Sequence, residues 1–162
     1  MHDVNYYTSG KAATDTKKGL FWLKFIKYPF IGSAIAKKLL EGAREFEPKM
    51  LDITDASKLI RHSKKCAVGE RVCRIIHKNS EITESVFLDE LAEGMVNAGK
   101  ARYVPLEGAI ETLKKYSKNH PLILSQISKK PVEICCSSIE NCIYWNMQRS
   151  NLRVFSGKRE KQ

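Results

Sequence analysis

Residues 82–100, ITESVFLDELAEGMVNAGK, are the stretch on which the reading of the fold turns. Thr83 or Ser85 can cap a helix here, and acidic residues fill its early turns, where the helix dipole favours negative charge. Phe87, Leu88, Leu91 and Met95 form an inward stripe at helical spacing, and Gly99 suits the position just past a helix end. The pattern predicts one long helix. Downstream, a second helix from Leu106 to Tyr116 should start just after Pro105 and bury Ile110 and Leu113. Upstream, Thr54 or Asp55 can cap a short helix through Leu59 and Ile60.

From Pro121 the texture changes. LILSQIS and PVEICC are short β-prone runs separated by a polar Ser-Lys-Lys-Pro turn, and they read as a hairpin or as two sheet strands. NCIYWNMQR fits a helical turn or a strand, and LRVF a last strand. Helices first and a small C-terminal sheet afterwards predict an α+β fold. The expected organisation is a flexible N-terminus (1–16), an amphipathic helical segment (17–45), a cysteine-containing α+β domain (46–156) and a disordered tail (157–162). Within the second segment Pro29 should break the helix, because proline removes a donor and clashes with the preceding turn. Leu20, Phe21, Trp22, Leu23, Phe25 and Ile26 before it, and Ile31, Ala34, Ile35 and Leu39 after it, give an unusually apolar helical pair. Such a pair packs on a core, or docks on a partner or a membrane through residues 17–40.

A chain of 162 residues with 43% hydrophobic and 28% charged residues has the composition of one folded domain. Its 28 Lys and Arg against 18 Asp and Glu leave a net charge of +10. That favours anionic partners: an acidic redox protein, an acidic membrane surface or nucleic acid. The lysines are spread out and no arginine-rich tract is present, which disfavours nucleic acid. The polar start, MHDVNYYTSG, has no secretory pattern, and no apolar run reaches a membrane-spanning length, so a cytoplasmic location is expected. There, cysteines tend to be ligands, redox groups or buried apolar side chains.

Five cysteines fall in two groups, Cys66 and Cys73 as C-x6-C, and Cys135, Cys136 and Cys142 as C-C-x5-C. Each group reads as a turn-like region between regular elements, where four thiolates converge most easily on an iron–sulfur cluster. Neighbouring side chains on a strand point to opposite faces, so only one of Cys135 and Cys136 can join such a set. Cys136 lies nearer the Ser-Ser-Ile-Glu-Asn turn, which makes Cys66, Cys73, Cys136 and Cys142 the expected ligands, with Cys135 as the substitute. Lys64, Lys65, Arg71 and Arg74 flank the first pair, and cations lower thiol pKa values. Backbone amides of AVGERV offer donors to cluster sulfurs, and Tyr144 and Trp145 would shield the site. His62 lies four residues before Cys66 and His77 four after Cys73, so either would complete a mixed ligand set. Neither group contains the C-x2-C spacing of structural zinc sites, which puts zinc behind iron–sulfur.

The segments VCR (72–74), ESVFLDELAEGMVNAGKAR and IENCIYW resemble pieces of small ferredoxin-like iron–sulfur proteins of anaerobic archaea and bacteria. Those proteins carry Cys-x-Cys-Arg, a Pro-x-x-x-Cys segment and a helix ending in Gly-x-Ala-Arg. The resemblance spans roughly residues 66 to 145 and implies Cys73 and Cys142 as the best-placed ligands. This chain departs from the pattern in that Arg71 stands where the first cysteine of Cys-x-Cys-Arg falls, and its Asn-Cys segment follows the helix. The resemblance implies an electron-transfer or redox-accessory protein binding one cluster, a four-iron centre, and the basic charge would steer it to an acidic redox partner.

Two other classes compete. A basic binding module without metal would use the helices of 83–116 on nucleic acid, although the first is acidic on its outer face. A structural subunit would bury its cysteines as packing groups. No Gly-x-Ser-x-Gly, His-Glu-x-x-His, Walker A or Rossmann pattern occurs, and no catalytic residue is assigned.

Overall fold

The structure, a computed structural model, describes residues 4–155. The elements in chain order are α1 (Val4–Thr8), α2 (Lys11–Leu23), α3 (Gly32–Arg44), β1 (Lys49–Leu51), α4 (Ile53–His62), β2 (Cys66–Glu70) and α5 (Val72–Ile76). They continue with β3 (Glu84–Leu88), α6 (Asp89–Asn97), β4 (Ala101–Tyr103), α7 (Leu106–Ser117), β5 (Leu122–Ile127), β6 (Lys130–Cys136) and α8 (Ile143–Arg149).

The small C-terminal sheet is overturned. Six strands starting at residue 49 form one antiparallel sheet in the order β1-β5-β6-β3-β2-β4, with helices on both faces. The long helix expected from residue 83 is a strand followed by a helix. β3 is the reason: Val86 and Leu88 point into one core and Phe87 into the other. A strand buried on both faces is a continuous apolar run, which periodicity alone does not separate from a helix. Cys66 pairs with Leu88 and Val68 with Val86 on one side of β3, while Ile134 of β6 pairs with Val86 on the other. Asp89 then turns the chain straight into α6 at a φ of 47°, and its Oδ1 accepts from the amides of Lys64 at 2.6 Å and Lys65 at 3.2 Å. Gly99 does end this helix region, with a φ of 69°.

Other expectations hold. α7 starts right after Pro105, and β5 and β6 form the hairpin, with Ser128 and Lys129 at positive φ in a tight turn. NCIYWNMQR gives the helix α8, and LRVF is not a strand. α4 forms as expected, but its cap is Asp52 rather than Thr54 or Asp55: the Asp52 Oδ1 accepts from the Asp55 amide at 2.7 Å. The flexible start is corrected over its described part: α1 and the beginning of α2 fold, and Tyr7 and Ala12 are core residues. The disordered tail expected at 157–162 lies outside the described residues.

On one face of the sheet α4 and α7 bury Ala56, Ile60, Ile110 and Leu113 against Val68, Val86, Leu124 and Ile134. On the other, α1 and α6 pack Tyr7, Leu91 and Met95 around Ala67 and Phe87, together with Phe46. A third apolar cluster joins α2, α3 and α8 through Leu23, Ala43 and Met147. β2 and β4 approach so closely that a Cβ on Gly69 would lie 2.3 Å from the Lys100 carbonyl oxygen, so this strand needs glycine there.

Candidate functional site: three thiols around a buried arginine

Of the five cysteines only Cys142 sits in a turn-like connection, where the spacing suggested all of them would be. Cys66 opens β2, Cys73 lies in α5, Cys135 and Cys136 end β6, and Cys142 precedes α8. Alternation along β6 sends Cys135 and Cys136 to opposite faces, as expected, but the choice between them reverses. Ile134 and Cys136 face the α4–α7 core together with Cys66. There the Cys66 thiol contacts the Ser63 hydroxyl at 3.1 Å, and the Cys136 thiol donates weakly to the Leu113 carbonyl at 3.5 Å. Burial pushes the Cys66 thiol up, and pushes that of Cys136 up to about 12. Both behave as small apolar groups. The expected set of Cys66, Cys73, Cys136 and Cys142 is therefore divided between the two faces of the sheet.

On the opposite face Cys73, Cys135 and Cys142 converge on Arg71. Arg71 is 2% exposed although it is the most basic of side chains. It precedes α5 in an extended conformation, and its Nη1 donates to the Cys136 carbonyl at 2.5 Å. The guanidinium also lies in the field of Cys135, Cys73 and Cys142. Among the described residues no carboxylate ion-pairs with it; Glu133 acts on it only through its longer-range charge. A buried cation is costly unless an anion offsets it. The groups placed to supply that anion are thiols.

One of them is disposed to do so. The neighbouring Cys142 side chain holds the Cys73 thiol below its ordinary range, burial works against that, and Arg71 and His77 help. Cys142 moves the other way, well up, because it keeps the shared proton and is buried. Cys135 is also pushed well up, by burial and by the charge of Glu133, with Arg71 opposing. The three groups are thus set apart by direction: Cys73 is lowered, while Cys135 and Cys142 are raised. As whole residues Cys73 and Cys135 are half-buried and Cys142 is buried.

A polar layer continues inward. Glu133 is buried at 7% exposure, and burial raises its carboxyl pKa while Ser85, Arg71 and Tyr7 pull it down. Burial and the nearby Glu133 raise Tyr7, and Tyr144 is raised by burial and by Cys142. Tyr144 is thus buried close to Cys142. Trp145 sits further along, donating from Nε1 to the Ser137 hydroxyl at 2.9 Å and stacking on Phe155 at 5.0 Å. The other expected cations face elsewhere: Lys65 pairs with Glu93, and Arg74 donates to the Ser80 carbonyl at 2.8 Å. The AVGE amides lie in a strand paired on both sides with β3 and β4, which removes them as donors to a cluster. His62 is bonded to the Lys58 carbonyl at 2.7 Å, while the Nε2 of His77 is buried with no hydrogen-bond partner. Sequence reasoning missed Glu133 and Tyr7, which carry no motif, and counted Arg71 as one flanking cation among four.

An open cleft of about 1020 Å³ runs between α2, α3 and α8. Tyr144 reaches it but no cysteine lines it. No three His, Cys, Asp or Glu side chains among the described residues stand in a geometry ready to hold a metal ion. No helix among them is long and apolar enough to cross a membrane. No protein-family model matches the chain, and no curated protein or solved structure is significantly similar to it.

Proposed function

We propose that this protein is a thiol redox protein whose reactive group is the Cys73 thiolate and whose resolving thiol is Cys142. The observation that carries this reading is the Cys73–Cys142 contact beside Arg71, a buried cation with no carboxylate partner. A thiolate is the nucleophile of thiol–disulfide exchange, and a neighbouring cation favours it at neutral pH. The co-reactant is a disulfide. The Cys73 sulfur attacks one sulfur of that disulfide, forming a mixed disulfide and expelling the other sulfur as a thiolate. Cys142 then gives up its proton and attacks the Cys73 sulfur, which forms the Cys73–Cys142 bond. The co-reactant's second sulfur leaves, so that the co-reactant takes two electrons from the two cysteines; one proton comes from Cys142 and the second, which makes it a dithiol, from water. The basic surface suits an acidic co-reactant.

A second reading keeps the iron–sulfur cluster with a changed ligand set. Cys135 as a third thiol, the unpartnered His77 Nε2 and the charge of Arg71 favour it. Cys73, Cys135 and Cys142 would hold the cluster only after their side chains draw together from the arrangement described above, and the cluster would supply one-electron transfer when bound. Cys66 and Cys136, expected earlier as ligands, have no part in it.

The test is anaerobic purification with iron, sulfide and zinc assays and an absorbance spectrum, followed by peptide mapping after equilibration with oxidised and reduced glutathione. A metal-free chain that forms a reversible Cys73–Cys142 disulfide supports the first reading. A brown, sulfide-containing protein that bleaches in Cys135→Ser supports the second. A colourless chain with no disulfide involving Cys73 sinks both.

A further inference from the structure

The α2–α3 corner is a separate feature. From residue 16 to residue 40 the chain contains six lysines and no Asp, Glu, Asn or Gln. Lys17, Lys18, Lys24, Lys27, Lys37 and Lys38 are all exposed. Among them stands an unusual set of uncovered apolar side chains: Phe21 at 52% exposure, Trp22 at 48%, Tyr28 at 59%, Ile31 at 46% and Phe30 at 99%. Phe21, Trp22, Phe25 and Tyr28 form a chain of ring contacts 5.2–6.0 Å between centroids. Phe30 is held at a φ of 73°, a conformation strained for a bulky side chain, and it projects from the corner fully into solvent.

We infer that this corner inserts into the interface of an anionic lipid membrane, with Trp22, Tyr28, Phe30 and Ile31 entering the headgroup–acyl boundary and the lysines meeting lipid phosphates. The charge argues for lipid over protein. A protein interface pairs donors with acceptors and carries both signs at its rim. Here the anions, Asp15 and Glu41, stand at the far ends of the segment, Lys18 being 3.9 Å from Asp15, and between them the only charges are cations and the uncharged polar side chains are the hydroxyls of Thr16, Tyr28 and Ser33 and the Trp22 indole. Aromatic rings at a boundary ringed by lysines match the chemistry of membrane interfaces, where lysine stems lie along apolar surface and their heads reach the phosphates. The corner is far from needing a spanning helix; it lies on the surface and does not cross it.

The test is flotation of the full chain with vesicles of phosphatidylcholine alone or mixed with phosphatidylglycerol, at low and high salt. Binding only to the anionic vesicles, weakened by salt, is expected. Each of Lys24→Gln and Lys27→Gln should weaken it by about fivefold, the effect of one lysine near an anionic surface. Phe30→Ser should weaken it at both salt concentrations, and its exposure means folding is untouched, which circular dichroism verifies. Trp22 emission should shift to the blue on binding, while Trp145, bonded to Ser137, does not respond. Absence of binding, equal binding to neutral vesicles, or binding indifferent to Phe30→Ser and the lysine changes would each overturn the inference. The first of these would point to a protein as the occupant.

Discussion

Cys135 and Cys136 are neighbours in the chain and of the same residue type, yet they live in different chemistries. Cys136 joins Leu122, Leu124 and Ile134 in an apolar core, and its thiol is pushed up to about 12 by burial. Cys135 turns to the face that holds Cys73, Cys142, Arg71 and Glu133. A single step along a strand separates a packing group from a member of a reactive site. Residue type therefore says little about a cysteine's role until the face it occupies is known, and that face is set by pairing with β3 and β5.

The contrast can be broken most severely at Arg71. Arg71→Gln removes the cation that the thiol face is built around and leaves Glu133 and the Cys73 thiolate uncompensated. It should cost about 3–5 kcal/mol in urea unfolding, the range for breaking a buried charge pairing. If the variant is as stable as the parent, the guanidinium is not offsetting buried negative charge. The next largest effect lies on the packing face. Cys136→Ser places a hydroxyl in an apolar core and should cost about 1–3 kcal/mol, while leaving thiol reactivity unchanged. Cys135→Ser, on the polar face, should cost less than about 1 kcal/mol. Equal losses would erase the distinction between the faces.

A smaller effect concerns pH. Glu133 has a raised carboxyl pKa in the fold, so the folded chain binds a proton that the unfolded chain has released. Stability should fall as pH rises from the ordinary carboxylate value through the raised one, and recover as pH is lowered. Glu133→Gln should flatten that slope and leave the chain at least as stable at neutral pH. A steeper slope in the variant would place the raised proton elsewhere.

Much of the fold was legible where its signals are local. The Pro105 start of α7, the Ser128–Lys129 turn and the Gly99 stop all act within a few residues. What was not legible is pairing at a distance. β1 has three residues and pairs with β5, Lys49 opposite Leu124, and β4 pairs Tyr103 with Ala67. Neither strand announces itself without its partner. β3 was misread because both of its faces are buried, so the alternation that marks a strand is missing. At the site, the opposite facing of Cys135 and Cys136 followed from strand geometry, and Cys73 and Cys142 were placed together by resemblance. Arg71 was illegible as a buried group, since an arginine beside Glu70 and Arg74 reads as surface.

The central claim is that Cys73 alone is a thiolate near neutral pH. Cysteine-resolved alkylation of the reduced, folded chain by iodoacetamide, followed across pH by mass spectrometry, tests it directly. Cys73 should react first, with a midpoint below the roughly 8.5 of an ordinary thiol, and that midpoint should rise in Arg71→Gln. Cys66 and Cys136 should stay protected until the chain unfolds. Labelling of Cys66 or Cys136 ahead of Cys73, or a Cys73 midpoint at or above the ordinary value, would contradict the account.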